Sequence, residues 1–229
     1  MKNKKKLFTG TALLIAFTVW TILIQSIDVR AVGVNGTRIG FATINIWFHK
    51  LTGVHLTVYT ITDWLGLVPI CICVFFGIVG LRQLIKRKSI FKVDADIILL
   101  GIYYIVVIFA YLVFEMIPIN YRPILIDGFM EASYPSSTTL LVLSVMPSLK
   151  FQMARRGRNA VLRNTVNIFA AAFSAFMMIG RLLSGVHWFT DLVGSVLLST
   201  GLFQLYQFSV EFAEQRKFEQ IPGVSNGVQ

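Results

Sequence analysis

Apolar residues in this chain run in blocks of about 20, the length a helix needs to cross roughly 30 Å of hydrocarbon. In lipid, backbone polar groups must be satisfied within the chain, which leaves only helices and closed barrels. Barrel strands alternate apolar and polar residues, so unbroken blocks exclude a barrel. The blocks fall at about 7–27, 56–85, 95–117, 136–154, 164–183 and 188–212. Only 14% of residues are charged, against about 25% in a soluble domain. The expected fold is all-α: a six-transmembrane-helix bundle in one domain over residues 1–215. Residues 216–229, with Pro222, Gly223 and Gly227, are expected to be a disordered cytoplasmic tail. The first block follows Lys2, Lys4, Lys5 and Lys6 but exceeds the roughly 7–15 residues of a signal h-region, so it is read as a retained helix.

The net charge of +10 comes from 21 basic residues, and their placement sets the orientation. Sixteen lie before the first block, after the last, or in alternate connections, the latter including Arg82, Lys86, Arg87, Lys88 and Lys92 and then Lys150, Arg155, Arg156, Arg158 and Arg163. The positive-inside rule places those segments, and both termini, in the cytoplasm. The charge is thus a topology signal, with some attraction for anionic lipid, and not a nucleic-acid footprint. Arg30, Arg38, Lys50, Arg122 and Arg181 remain for the opposite face.

The first outer connection, about 28–55, holds an Asn35-Gly36 turn signal, followed by Phe41, Ile44, Ile46, Trp47 and Phe48, which suggest a short helix in the membrane interface. Cys71 and Cys73 sit about 200° apart on one helix and cannot pair with each other; no metal site is expected from two cysteines.

Charged groups inside a bilayer are costly, so those that remain are functional candidates. Two polar stretches share the outer face: Asn120-Tyr121-Arg122-Pro123 with Tyr134-Pro135-Ser136-Ser137-Thr138, and Gly180-Arg181 through His187 to Asp191. His187 and Asp191 are four apart at a helix start, hence on one face. A carboxylate there can hold one imidazole nitrogen protonated and leave the other as a lone pair, the form of a nucleophile or base. Arg122 and Arg181 are fork-shaped donors suited to phosphate oxygens. Ser136, Ser137 and Thr138 open a helix, where backbone N–H groups attract anions. Together these groups converge on phosphoryl transfer.

These residues resemble the type-2 phosphatidic acid phosphatase superfamily, membrane enzymes with six spans and three motifs: K-x6-R-P, P-S-G-H and S-R-x5-H-x3-D. The third motif fits at Arg181, His187 and Asp191, with Gly180 in place of the leading Ser. The first keeps Arg122-Pro123 but has Glu115 at the Lys position; the second keeps Pro135-Ser136 but has Ser137 and Thr138 where Gly and His are usual. The resemblance implies that His187 attacks phosphorus to form a phosphohistidine, that Asp191 orients it, and that Arg122, Arg181 and Ser136 bind the phosphoryl oxygens without metal or cofactor.

The family's second-motif His protonates the leaving alkoxide, a role worth about 10²–10⁴-fold in rate, and Thr138 cannot do this at neutral pH. Two compensations are open. A diphosphate substrate has a better leaving group, or His49 or His55 of the first outer connection folds over the site. Glu115 would repel phosphate unless protonated or paired, with Arg122 as the candidate partner. Asp63 lies about two turns beyond His55 and is expected inside the bundle. The expected activity is hydrolysis of a lipid phosphate or diphosphate, phosphatidate-type or polyprenyl, at the extracytoplasmic face of the cell membrane. A headgroup phosphotransferase and a non-catalytic lipid-phosphate binder or transporter are the alternatives.

Overall fold

The computed structural model describes residues 2–157 and 159–219. Its helices are α1 (Lys2–Ser26), α2 (Ala42–Thr52), α3 (Leu56–Leu65), α4 (Leu67–Arg87), α5 (Ala95–Met116), α6 (Ser137–Arg156), α7 (Ala160–Leu183) and α8 (Phe189–Glu219). α1 and α3 to α8 coincide with the apolar blocks, and α2 forms where a short amphipathic helix is expected. α3 and α4 are one block interrupted at Gly66, where a Cβ would lie 2.8 Å from the Asp63 carbonyl. Two-residue strands, β1 (Arg30–Ala31) and β2 (Arg38–Ile39), pair antiparallel around Asn35 and Gly36, both at positive φ. α8 continues past residue 215 to Glu219, into the stretch read as tail. Arg158 and residues 220–229, with the expected disorder of that tail, lie outside the described residues.

Among the described residues, four segments are long and apolar enough to cross a membrane: α1, the α3–α4 pair, α5 and α7. α6 and α8 do not meet that standard, and burial explains why. Ser144, Ser148 and Gln152 on α6 and Ser195 and Ser199 on α8 are fully enclosed. Tyr103 donates to the Ser144 carbonyl at 3.1 Å, Tyr104 meets the Ser148 hydroxyl at 2.8 Å, and Gln152 donates to the Tyr206 hydroxyl at 2.7 Å. A helix surrounded by other helices can carry such groups because its neighbours satisfy them.

α1 packs along α8 through two glycines. A Cβ on Gly10 would come within 2.8 Å of Leu205, and one on Gly201 within 2.9 Å of Leu14. Small residues of this kind let backbones approach closely where lipid supplies no hydrophobic drive. The basic clusters gather at one end of the bundle. There Lys6 pairs with Glu211, Arg155 with Glu214, Arg87 with Asp94 and Arg156 with Asp94 and Asp96. The motif residues lie near the opposite ends of the same helices.

Candidate active site

Two connections and a helix build the site. The first, between α5 and α6, folds as a short hairpin. Asp127 and Gly128 both have positive φ, as a tight two-residue turn requires, and the turn brings Ile126 to Phe129 and Tyr121 to Ala132. Arg122 N–H donates to the Glu131 carbonyl at 3.1 Å and Ser133 N–H to the Asn120 carbonyl at 2.9 Å. Arg122 and Ser133 are thereby held at the mouth of the bundle.

The second connection, 184–188, carries His187. Gly185 has φ +71°, and a Cβ there would lie 2.2 Å from the Gly53 carbonyl, so conformation and space both demand glycine. Asp191, in the first turn of α8, accepts the Trp188 N–H at 2.9 Å on Oδ2 and the Asn120 amide at 3.2 Å on Oδ1. It therefore caps the helix as half of a capping box. Asn45 of α2 docks on the same turn, accepting from Thr190 N–H at 3.2 Å and donating to its hydroxyl at 3.0 Å.

His187 is 4% exposed. Its Nδ1 lies 3.1 Å from the Ser133 carbonyl and 3.7 Å from Asp191 Oδ2. A carbonyl only accepts, so Nδ1 carries the proton and Nε2 is the lone pair. Nε2 is buried with no hydrogen-bond partner. Burial pulls the imidazole down to about 4, and the guanidinium charges of Arg122 and Arg181 act in the same direction against Asp191. The ring is thus neutral at physiological pH.

The third element is α3, which faces the end of α7. Arg181, 1% exposed, donates from Nη2 to Asp63 Oδ1 at 3.1 Å and to the Thr138 hydroxyl, leaving Nε and Nη1 unpartnered. Arg122 Nε lies 3.0 Å from Glu131 Oε2 in an ion pair too poorly angled for a hydrogen bond, and Nη1 has no partner. Both guanidiniums lie over the ring of Tyr59, at 5.0 Å for Arg181 and 5.7 Å for Arg122. α3 and α7 come this close because a Cβ at residue 180 would stand 2.7 Å from Thr62 Cγ2. The glycine that replaces the motif's serine is a packing requirement of this chain.

The structure brings Asp63, Thr138, Arg181, Arg122, His187 and Asp191 together, but the Asp63 side chain is 58% exposed at the rim of the site and not inside the bundle as expected; the other expected residues are placed differently. The Ser136 hydroxyl is buried against Thr139 at 3.0 Å, while Ser137 and Thr138 line a cavity of about 570 Å³ with Asp63. Glu115 is exposed on α5 and acts on Tyr111; the partner of Arg122 is Glu131, so the expected Glu115 pairing is corrected. The hairpin, not the preceding helix, supplies the neutralising carboxylate. His49 donates from Nε2 to the Gly185 carbonyl at 3.1 Å and His55 from Nε2 to the Thr52 carbonyl at 2.9 Å. Tyr59, Asn120, Glu131 and the Ser133 carbonyl were not expected in the site. Of these, only Asn120 carries a signal in the sequence, as the first residue of the polar stretch Asn120-Tyr121-Arg122-Pro123.

The sequence model of the PAP2 superfamily matches residues 97–212, half of the chain and nearly all of the site. The chain belongs to that superfamily. Among solved structures it resembles the first transmembrane PAP2-type phosphatidylglycerolphosphate phosphatase from Bacillus subtilis, with a TM-score of 0.62 and 18% identity over 91% of this chain and 97% of that one. At that identity the likeness establishes a transmembrane PAP2 fold. No curated protein matches the chain.

Proposed function

We propose that this protein is a membrane phosphatase for lipid phosphates or diphosphates, with His187 as nucleophile. One observation carries the reading: His187 has a fixed, proton-bearing Nδ1 and a buried, unpartnered Nε2, and two guanidiniums with free N–H groups act on it. A structural histidine would satisfy both nitrogens, because a buried polar atom without a partner costs about 1–3 kcal/mol.

In the proposed reaction the phosphoryl oxygens replace Asp63 and Thr138 as partners of Arg181 and engage the free Arg122 nitrogen, with the first-turn amides of α6 completing the cradle. Nε2 attacks phosphorus in line with the departing oxygen, and the P–O bond to the lipid breaks as the N–P bond forms. Imidazolium charge is stabilised at Nδ1–H by the Ser133 carbonyl and Asp191. Water then attacks the phosphohistidine, releasing phosphate and restoring the lone pair. The arginines supply the positive charge that a metal would otherwise bring. In this reading six helices span the membrane, α2 lies in the interface, both termini are cytoplasmic, and the site opens on the extracytoplasmic face.

The test is phosphate release by purified protein in excess EDTA, across lipid monophosphates, including phosphatidylglycerol phosphate, and polyprenyl diphosphates. Release that disappears in His187→Ala supports the reading. Binding of these lipids without release from any of them replaces it with a binding protein.

A further inference from the structure

Hydrolysis of a phosphohistidine asks for a group that its formation does not. The attacking water must lose a proton as its oxygen reaches phosphorus, and the base that takes it must stand beside the phosphoryl group with water at hand. Thr138 cannot accept that proton at neutral pH. His187 carries the phosphoryl group at this stage. Asp191 is fully buried, with one oxygen on the Trp188 N–H and the other on the Asn120 amide.

Asp63 has the placement that the others lack. Its Oδ1 accepts from Arg181 Nη2 at 3.1 Å, and the Thr138 hydroxyl accepts from the same nitrogen. Among the described residues, Oδ2 accepts no hydrogen bond. Arg181 is enclosed while the Asp63 side chain is more than half exposed, so this ion pair runs from the phosphate cradle out to water. Asp63 is also a shared wall of two cavities. One holds Ser137 and Thr138. The other, of about 330 Å³, lies between α3 and the α5–α6 hairpin, and its polar lining is Tyr59, Thr60, Asp63 and Asp127. Thr60 and Asp127 are exposed, so the second cavity admits water from the outer mouth of the bundle.

Resting on the proposed phosphatase function, we infer that Asp63 is the general base of the second step, acting on water that enters between α3 and the hairpin. Binding of the phosphoryl group draws Arg181 off Asp63 and leaves both carboxylate oxygens free for water. The water oxygen bonds to phosphorus as its proton passes to Asp63. The P–Nε2 bond breaks, its electron pair returns to Nε2, phosphate leaves, and Asp63 gives the proton to solvent. An ion-paired carboxylate has no proton to give, so Asp63 does not replace the missing acid of the first step. The two steps are served unequally: formation of the phosphohistidine depends on the leaving group, and its hydrolysis depends on Asp63.

The experiment follows the phosphoenzyme itself. Protein in nanodiscs is mixed with a short-chain prenyl diphosphate radiolabelled in its terminal phosphate, or with labelled phosphatidate, and quenched in alkali, where phosphohistidine survives. Asp63→Asn should take up label at a rate near the wild type and lose it about 10²-fold more slowly. A burst of about one leaving group per site then precedes slow turnover, and the burst shows that the variant is folded. In Asp63→Ala, formate should speed the decay of the label, and chloride at the same concentration should not. No burst from Asp63→Asn together with no effect of formate on Asp63→Ala makes Asp63 a support for Arg181 and overturns the base. Wild-type turnover in Asp63→Asn overturns it too, as does label that accumulates in Glu131→Gln instead. Absence of both label and phosphate release in the wild type, with either lipid, overturns the phosphatase reading and the base with it, an outcome distinct from the failure of Asp63 alone.

Discussion

His187 Nδ1 stands closer to the Ser133 carbonyl, at 3.1 Å, than to the Asp191 carboxylate, at 3.7 Å. The imidazole is oriented mainly by a backbone atom of the hairpin, while Asp191 divides its oxygens between Trp188 and Asn120. This division predicts different outcomes for two substitutions. Asp191→Asn keeps an oxygen for the Trp188 N–H and leaves Ser133 holding the tautomer, so kcat should fall by about 10–100-fold, well short of the roughly 10⁴ seen where a carboxylate is the sole orienter. Asp191→Ala strips two buried donors of their acceptor and should lower thermal stability as well, by about 2 kcal/mol or more. Turnover assays and melting curves in detergent check both.

The pH response follows from the same histidine. Unfolded, its pKa is near 6.5; folded, burial brings it to about 4. Between those values the unfolded chain binds more protons, so this contribution to stability is complete above about pH 6.5 and is lost as pH falls towards 4. His187→Gln should flatten that part of the stability profile. In the wild type, kcat/KM should hold its acid side down to about pH 4, where Nε2 protonates. An acid limb near pH 6.5 beyond the one that the substrate phosphate's own pKa of about 6 produces would contradict the buried, neutral ring.

Tyr59 lies under both arginines and should act on substrate affinity. Each cation–ring contact is worth about 0.5–2 kcal/mol. Tyr59→Leu should raise KM several-fold with little change in kcat, and Tyr59→Phe should restore the wild-type value. Loss of kcat in both variants would instead give the hydroxyl a chemical role.

Much of this arrangement is legible in the sequence, and the remainder has a common cause. The spacing of Arg181, His187 and Asp191 needs only helix periodicity, and block length locates α1, α4, α5 and α7. Ser133 left no trace because the atom that matters is its carbonyl, which every residue carries. Glu131 is not legible, and Glu115 reads as the candidate partner, because the hairpin turn at Asp127-Gly128 reverses the chain after Arg122 and delivers a carboxylate from the far strand. Tyr59 reads as an ordinary aromatic in a span until α3 and α7 meet.

That meeting is testable at Gly180. Gly180→Ser restores the usual motif residue but drives a Cβ against the stiff, fully buried Thr62. A loss of about 1–3 kcal/mol is expected, with recovery in Gly180→Ser combined with Thr62→Ser. A double-mutant cycle measured by thermal unfolding gives the coupling.

Thr138 predicts the dependence on leaving group. With no imidazole at that position, alkyl monophosphates should turn over about 10²–10⁴-fold more slowly than diphosphates of the same lipid. A flat dependence would show that another group supplies the proton.

The contact of α1 with α8 joins the first helix of the sequence to the last. Lys6 meets Glu211, Gly10 lies against Gly201, and Trp20 donates to the Thr190 carbonyl at 3.2 Å. During synthesis α1 enters the membrane long before its partner surface exists, and pairings so distant in sequence form late. The turn that carries His187 stands at the head of α8. The turn that carries His187 is therefore fixed only when α8 has closed on α1, and a ribosome stalled before α8 leaves the proposed nucleophile without the helix that positions it.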